Sequence, residues 1–262
     1  MYEELYASIP DTLPYLKRLG LEPPQTLDKT FLDTLVFAHQ CRIPFENLDI
    51  VDFHNPISLS IPHLYDKIIT QKRGGYCFEM NGLFTQFLKD LGYQAWSLMV
   101  RIVRGRDYLS PIMHRGVMVP IDGERYFCDV GFGGPAPGGA VQVKDGCVTE
   151  CAGVKYLMKK SDDYWWTLYT INEQGQPEKL FCFYEMPQQN VDFVVLSAYC
   201  STSPESNFTK RRFLNRRLEH GSCSLLNDEF TITENGETRK QIVASQEEFL
   251  EIAEKYFDLT FH

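Results

Sequence analysis

The stretch RGGYCFEMNGLFTQFLKDLG, residues 73–92, combines a strong helix signal with a distinctive cysteine. Two glycines and a tyrosine precede Cys77, and apolar residues then recur at the spacing of one helix face. Gly92 is typical of the position just after a helix end. The pattern therefore predicts a helix that begins near Cys77 and ends before Gly92. Its apolar stripe consists of Met80, Leu83, Phe84, Phe87, Leu88 and Leu91.

Cys77 has the setting of a reactive cysteine, although a structural role is an open alternative. A thiol attacks well only as a thiolate, and the partial positive charge at a helix N-terminus lowers a cysteine pKa. Gly74 and Gly75 allow a sharp turn and the close approach of a substrate. However, the chain contains 8 cysteines, and buried free cysteines usually belong to the core. A nearby base is needed to decide.

The segment MHRGVMVPIDGERYFCDVGFGG, residues 113–134, predicts such a base. Asp122-Gly123 is a strong signal for a two-residue hairpin turn, which fixes the register of the flanking strands. In that register His114 and Asp129 are diagonal neighbours on one face of the sheet, within side-chain reach. A carboxylate that holds one imidazole nitrogen leaves the other free to take a proton from a thiol. The alternative is a hydrogen bond that only stabilises the hairpin.

The chain is predicted to divide into three parts. Residues 1–92 are expected to be a helical bundle, in which Asp28 caps the helix that ends before Pro44. Residues 93–195 contain many short strand-like segments separated by turn residues, which predicts an antiparallel sheet or small barrel. Residues 196–262 mix strand and helix signals, and LLNDEFTIT (225–233) is strand-like. The predicted fold class is α+β.

Composition and charge exclude several classes of protein. The chain has 262 residues, of which 44% are hydrophobic and 23% charged, as is ordinary for a globular protein. No apolar stretch approaches the ~18 residues of a membrane span, and the N-terminus lacks a signal-peptide pattern. We therefore expect a cytoplasmic protein with no membrane partner. A net charge of −9 also argues against nucleic acid as a partner.

The spacing of the cysteines bears on metal binding, and one segment of the chain is strongly basic. No C-x-x-C pair occurs, so a structural metal site is not expected, and in a reducing compartment the cysteines should be free thiols. Basic side chains concentrate in residues 210–217, either as a solvated surface or as a patch for phosphate groups. They are Lys210, Arg211, Arg212, Arg216 and Arg217.

Four motifs carry a family resemblance. They are IPFENLDI (43–50), RGGYCFEMNGLF (73–84), CDVGFGG (128–134) at the end of the His114 hairpin, and STSPESNFT (201–209). In this order they resemble the arylamine N-acetyltransferase family over most of the chain. The resemblance implies an N-terminal helical bundle, a central antiparallel β-barrel and a C-terminal α/β lid, with a cysteine-protease-like core.

The resemblance also implies a catalytic triad and a reaction. Cys77 would be the nucleophile, His114 the base and Asp129 the orienting carboxylate. In a ping-pong reaction Cys77 would take an acetyl group from acetyl-CoA and pass it to the nitrogen of an arylamine, arylhydrazine or hydroxyarylamine. Acetyl-CoA or another acyl-CoA would be a co-substrate, with no metal and no tightly bound cofactor.

Further positions match the family with a binding or supporting role. The acceptor pocket would be lined by two aromatic residues, for which core packing is an equal alternative, namely Phe45 and Phe132. The path of CoA would be lined by Ser110, Gly131, Gly133 and Tyr199. An ion pair between Glu46 and Arg73 is expected to support the cysteine loop, with solvated charges as the alternative. The segment PAPGGAV (135–141) departs from the family pattern, which leaves the acceptor open.

Two other functions are compatible with the same residues. An amide synthase or a transglutaminase-like thiol hydrolase would use the same Cys-His-Asp triad on another acceptor. A binding module that keeps the fold without catalysis is the third alternative, although all three triad residue types are present.

Overall fold

The computed structural model describes residues 2–261 of the chain. Its helices are α1 (Thr12–Leu19), α2 (Lys29–Arg42), α3 (Leu48–Val51), α4 (Ile61–Tyr65), α5 (Cys77–Leu91), α6 (Asp192–Thr202) and α7 (Gln246–Phe257). Its strands are β1 (Phe45–Glu46), β2 (Trp96–Ile102), β3 (His114–Ile121), β4 (Glu124–Cys128), β5 (Val141–Gln142), β6 (Val148–Cys151), β7 (Val154–Lys160), β8 (Trp165–Ile171), β9 (Pro177–Tyr184), β10 (Phe213–Leu218), β11 (Gly221–Leu226), β12 (Glu229–Glu234) and β13 (Glu237–Ile242).

An eight-stranded antiparallel sheet forms the centre of the fold. Its strand order is β5-β4-β3-β2-β9-β8-β7-β6. The two edge strands meet where the Gln142 backbone N–H donates a hydrogen bond to Thr149 Oγ1 at 3.2 Å. The sheet is therefore a nearly closed barrel. Large apolar side chains fill its interior, among them Leu98, Phe127, Met158, Phe181 and Phe183.

The β3–β4 hairpin has the predicted register. Ile121 pairs with Glu124 across the turn Asp122-Gly123, whose residues have positive φ angles of 51° and 80°. Such angles are typical of the two-residue turns that match the twist of a hairpin. The regular pairing ends at Cys128, so Asp129 lies just beyond β4 and not inside the strand.

Helix α5 occupies the centre of the helical part, as its apolar stripe predicts. It begins at Cys77 and stops at Gly92, which adopts a left-handed φ of 111°. Residues 77–88 are all buried, because the helix packs between α1, α4 and the barrel strands β2 and β3. The predicted cap of α2 is also present, since Asp28 Oδ1 accepts from the Phe31 backbone N–H at 2.8 Å.

A second sheet, with the order β1-β10-β11-β12-β13, packs against α7. Its first strand belongs to the N-terminal part of the chain, and Phe45 in this strand pairs with Asn215 of β10. The Glu46 backbone N–H donates to Gly75 O at 3.0 Å. Strand β1 therefore connects the loop before α5 to the C-terminal sheet.

The α+β class, with a helical part, a barrel and a C-terminal α/β unit, is confirmed. The boundaries 1–92, 93–195 and 196–262 stay predictions, and α6 continues across residue 195. One detail differs from the sequence pattern, because residues 225–233 form parts of two strands and not one. Asn227, with a φ of 52°, starts the turn between them, and asparagine tolerates this conformation better than most residues.

A buried ionic network lies beneath the loop that precedes α5. Lys67 Nζ is 2.7 Å from both Asp49 Oδ2 and Glu79 Oε1. Arg73 donates to Glu46 Oε1 through Nε at 3.0 Å and Nη2 at 2.7 Å, which confirms the expected ion pair. Because these charges are buried, each stabilises the fold only while its partner is present.

None of the helices between residues 2 and 261 combines the length and the apolar character needed to cross a membrane.

Replacement of Lys67 tests the network. We expect Lys67→Met to lower the free energy of unfolding by about 3–5 kcal/mol, because it leaves two buried carboxylates without their ammonium partner. Urea denaturation measures the change. Lys240→Met is the matched control, since Lys240 pairs with Glu229 on the exposed surface, and it should change stability little. Equal effects of the two variants would contradict a structural role for the network.

Candidate active site

Cys77 is held at the start of α5 by its neighbours on both sides. The Tyr76 backbone N–H donates to Glu79 Oε2 at 3.0 Å, which satisfies one of the free N–H groups at the helix start. Gly74 lies so close to β1 that an added Cβ would be 2.0 Å from Pro44 O. The glycine is therefore required by close packing, and this packing fixes the position of Cys77.

His114 and Asp129 form the predicted pair. His114 Nε2 lies 2.6 Å from Asp129 Oδ2, and both side chains are buried. The imidazole is also stacked on the ring of Phe181, with centroids 5.4 Å apart. Because Nε2 is engaged by the carboxylate, Nδ1 is the nitrogen left to exchange a proton with a thiol.

The sequence spacing does not predict that Cys77 lies near His114 and Asp129. The packing of Gly131 against Cys77 brings them together. A Cβ added to Gly131 would lie 2.9 Å from the Cα of Cys77. The Gly131 backbone N–H also donates to Asp129 Oδ1 at 2.9 Å. The absence of a side chain therefore lets the segment after β4 lie directly against the start of α5.

Asn81, one helical turn after Cys77, links α5 to the barrel and was missed by the sequence interpretation. Its Nδ2 donates to Arg115 O at 2.6 Å and to Asp129 Oδ1 at 2.9 Å. Its Oδ1 accepts from the Val130 backbone N–H at 2.9 Å. Asn81 lies within the RGGYCFEMN motif, so its sequence position is visible, but its contacts depend on tertiary packing.

The same amide explains why the hairpin pairing stops early. In the predicted register Arg115 and Val130 would be the next hydrogen-bonded pair. Instead, the side chain of Asn81 bonds to the carbonyl of one and the N–H of the other. The amide thus replaces the strand-to-strand bonds. Asp129 remains within reach of His114, although the strand has ended.

A cavity of about 240 Å³ opens beside Cys77 and His114. Most of its lining is apolar, which suits a flat aromatic ligand. Seven of the predicted site residues line it, namely Phe45, Cys77, His114, Gly131, Phe132, Gly133 and Tyr199.

Two predicted residues do not line this cavity. Asp129 is fully buried next to His114. Ser110 is also fully buried, and its hydroxyl donates to Ile102 O at 2.7 Å. A contact between Ser110 and CoA stays a prediction.

Residues from the C-terminal part complete the cavity and were not predicted. The ring of Phe208 lies 6.2 Å from that of Phe45 and 5.8 Å from that of Phe213, and all three line the cavity. Phe208 belongs to the motif 201–209, so a signal for this segment was present in the sequence. No local pattern indicates that it meets β1.

A second cavity of about 500 Å³ shares Phe45 and Phe132 with the first. The glycine-rich segment 135–141 contributes to this second cavity through Pro135 and Ala136. These two residues do not line the smaller one. The departure from the family pattern therefore lies outside the cavity that contains Cys77.

The basic cluster 210–217 is largely engaged in contacts within the protein. Arg212 pairs with Asp52, and Arg217 Nε donates to Gln40 Oε1 at 2.6 Å. Neutralisation of these arginines would disturb the fold as well as any phosphate contact. Binding of CoA phosphates by the cluster stays a prediction.

The surroundings of Cys77 disfavour its thiolate form. Burial raises the pKa of the Cys77 thiol well above its ordinary value, and Cys200 and Asp129 act in the same direction. Hydrogen bonds from the backbone N–H groups of Arg115 and Phe78 lower the pKa but do not reverse the rise. A thiolate in this site therefore requires a neighbouring base, and His114 lines the same cavity as Cys77.

No group of three or more His, Cys, Asp or Glu side chains within the described part of the chain is arranged to hold a metal ion.

Removal of the Asn81 amide should weaken both the fold and the site. We expect Asn81→Ala to lower the free energy of unfolding by about 3 kcal/mol, because it leaves buried groups of β3 and the following segment unpaired. Alkylation of Cys77 by iodoacetamide at pH 7 should also slow. Thr85→Val is the control, since Thr85 Oγ1 donates to Asn81 O at 2.6 Å on the same helix and reaches β2 only through a longer 3.3 Å contact with Ser97 Oγ. Alkylation of Cys77 at the wild-type rate in both variants would contradict a role of the Asn81 amide in the site.

Replacement of His114 should make the raised pKa of the Cys77 thiol visible in the pH dependence of alkylation. In the wild type we expect alkylation of Cys77 to stay fast well below pH ~8.5, because His114 accepts the proton. In His114→Asn we expect a rate about 10²-fold lower at pH 7, rising only above the ordinary thiol range. His63→Asn, at an exposed histidine, should match the wild type. A shared profile for all three proteins would refute activation by His114.

Known proteins are similar to this chain in sequence. A family model described as N-acetyltransferase matches residues 28–262. The arylamine N-acetyltransferase / N-hydroxyarylamine O-acetyltransferase of Salmonella typhimurium is 31% identical over 230 residues, which cover 87% of this chain and 81% of the relative.

Solved structures agree with this match. The structure of the arylamine N-acetyltransferase from Salmonella typhimurium superposes with a TM-score of 0.89 at 28% identity, covering 97% of this chain and 92% of the other. The Mycobacterium marinum arylamine N-acetyltransferase in complex with CoA gives a TM-score of 0.86 at 28% identity, covering 95% and 92%. The sequence and the fold together show that the chain belongs to the arylamine N-acetyltransferase family.

Proposed function

We propose that the chain transfers an acetyl group from acetyl-CoA to the nitrogen of an arylamine, arylhydrazine or hydroxyarylamine, through a thioester on Cys77. The observation that carries the proposal is that one cavity with aromatic walls is lined by Cys77 and by His114, which is hydrogen-bonded to Asp129. A nucleophile, a base and an orienting carboxylate are the groups that acyl transfer requires.

In the first half-reaction Cys77 becomes acetylated. His114 Nδ1 takes the thiol proton, and the sulfur attacks the carbonyl carbon of the acetyl group. The bond between that carbon and the CoA sulfur breaks, and CoA leaves with the proton returned by His114. Asp129 stabilises the imidazolium that exists between these two proton transfers.

In the second half-reaction the acceptor nitrogen attacks the thioester carbon. His114 takes a proton from the nitrogen, and the carbon–sulfur bond to Cys77 breaks. The thiol is regenerated when the proton passes to the sulfur. The rings of Phe45 and Phe132 would hold the flat acceptor by stacking, which fits their position in the cavity wall.

The partners of this reaction are small molecules. Acetyl-CoA, or another acyl-CoA, acts as a co-substrate that leaves in each cycle, as the Mycobacterium marinum complex with CoA supports. Gly131, Gly133 and Tyr199 line the cavity and are candidates for contacts with its reactive end. A cytoplasmic location and the absence of nucleic-acid and membrane partners stay predictions of the sequence.

Acetylation of the enzyme without an acceptor tests the proposal. Incubation with acetyl-CoA alone should release one equivalent of CoA and add one acetyl group to the peptide that contains Cys77. Addition of an aromatic amine should then remove that group and yield the amide. Mass spectrometry and a thiol assay for CoA measure the two steps.

Cysteine variants provide the control. Cys77→Ala should lose acetyl transfer by about 10⁴-fold or more, because covalent catalysis is removed. Cys147→Ala changes a partly buried cysteine outside the cavity and should keep wild-type activity. Full transfer by Cys77→Ala would refute the triad. Acetylation followed by hydrolysis, with no amide, would favour a thiol hydrolase.

A further inference from the structure

The guanidinium of Arg115 is buried beside α5 without an ionic partner. The residue is 2% exposed. Its Nε and Nη2 donate to Ser97 Oγ at 2.9 and 2.7 Å, and Nη2 donates to Asn190 Oδ1 at 2.5 Å. The ring of Phe193 lies 4.3 Å from its Cζ. All of these groups are neutral, and no carboxylate within residues 2–261 forms an ion pair with it.

The fold accommodates this charge at a cost. A buried charge without a counter-charge is strongly unfavourable, and hydrogen bonds to neutral groups offset only part of the desolvation. Gly82 faces the guanidinium in the middle of α5, and an added Cβ would lie 2.8 Å from Arg115 Nη1. Glycine is itself unfavourable in a helix interior. The unpaired guanidinium and the glycine that makes room for it both lower stability, which indicates that the charge has a role beyond packing.

The position of Arg115 relates it to Cys77. His114 and Arg115 are adjacent in β3, so their side chains point to opposite faces of the strand. His114 lines the cavity, while Arg115 packs against the helix that begins with Cys77. Asn81, one helical turn after Cys77, donates from Nδ2 to the Arg115 carbonyl at 2.6 Å. The titratable and charged groups around Cys77 are Tyr76, Arg106, His114, Arg115, Asp129, Cys200 and Glu205.

Among these groups Arg115 is the buried permanent cation. Arg106 lies at the partly exposed edge of the cavity, where solvent screens its charge. A charge in the protein interior is screened much less, so it acts over a longer distance.

We propose that Arg115 is a positioning residue of the reaction, whose buried charge favours the thiolate of Cys77 over the thiol. The site would then hold two positive charges, Arg115⁺ and His114⁺, and two negative charges, Cys77⁻ and Asp129⁻. The role rests on the proposed function of Cys77 as the nucleophile. No bond is made or broken at Arg115.

The pKa of Arg115 responds to the charge on Cys77. Burial lowers the pKa of Arg115 to about 9, and ionised Cys77 is the largest influence that raises it again. The guanidinium is therefore charged at neutral pH.

Two variants separate the charge from the shape of the side chain. Arg115→Gln removes the charge and keeps a hydrogen-bond donor, whereas Arg115→Lys keeps the charge. We expect the pH profile of Cys77 alkylation by iodoacetamide to move up by about one unit in Arg115→Gln, a roughly ten-fold slower rate at pH 7. Arg115→Lys should stay close to the wild type. At high pH the rate of Arg115→Gln should recover, because the thiolate then forms without help.

Asn190→Ala is the structural control. It removes one hydrogen bond of the guanidinium and leaves its charge, so the urea midpoint should fall while the alkylation profile stays unchanged. An Arg115→Gln protein that folds and keeps the wild-type profile would overturn the proposal, as would an equal shift in Arg115→Lys. Either result leaves the function of Cys77 intact if the wild type is acetylated by acetyl-CoA. A wild type that is not acetylated refutes the proposed function itself.

Discussion

The site depends on the contact of the Asn81 side chain with β3 and with the segment that follows β4. The amide donates to the backbone of β3 and to Asp129, and accepts from the Val130 N–H. Since Asn81 is one turn after Cys77, these bonds fix the helix that begins with Cys77 relative to the hairpin that carries His114. Bonds of this kind are strong inside a protein because unpaired alternatives are costly. One amide therefore sets the relative position of the helical and barrel parts.

Close packing supports this contact at two positions where a side chain would not fit. Gly131 lets the segment after β4 touch the backbone of Cys77, and Gly74 lets the loop before α5 touch β1. Beneath that loop Lys67 links two carboxylates. The position of Cys77 is thus determined from the barrel side by hydrogen bonds and from the opposite side by buried charges. Such over-determination is what a preorganised site requires.

Local features of the site were predictable, and long-range ones were not. The turn Asp122-Gly123 fixes the pairing of two short strands, so the proximity of His114 to Asp129 follows from sequence spacing. The start of α5 at Cys77 is also a local property of the apolar stripe. The end of the β3–β4 pairing at Cys128 could not be predicted in this way. It results from the side-chain amide of Asn81, which lies on a helix far away in the chain. The contact of Phe208 with Phe45 likewise depends on how β10 pairs with β1.

The buried setting of Cys77 explains why several charged groups are needed at once. Desolvation disfavours a lone thiolate, so a dry cavity by itself makes the cysteine less reactive. Transfer of the proton to His114 creates two opposite charges, whose attraction grows as water is excluded. The carboxylate of Asp129 then stabilises the imidazolium end of that pair, and the role we propose for Arg115 is to stabilise the thiolate end. The low dielectric that prevents ionisation of a single group therefore favours the ion pair, provided that both ends have fixed counter-charges.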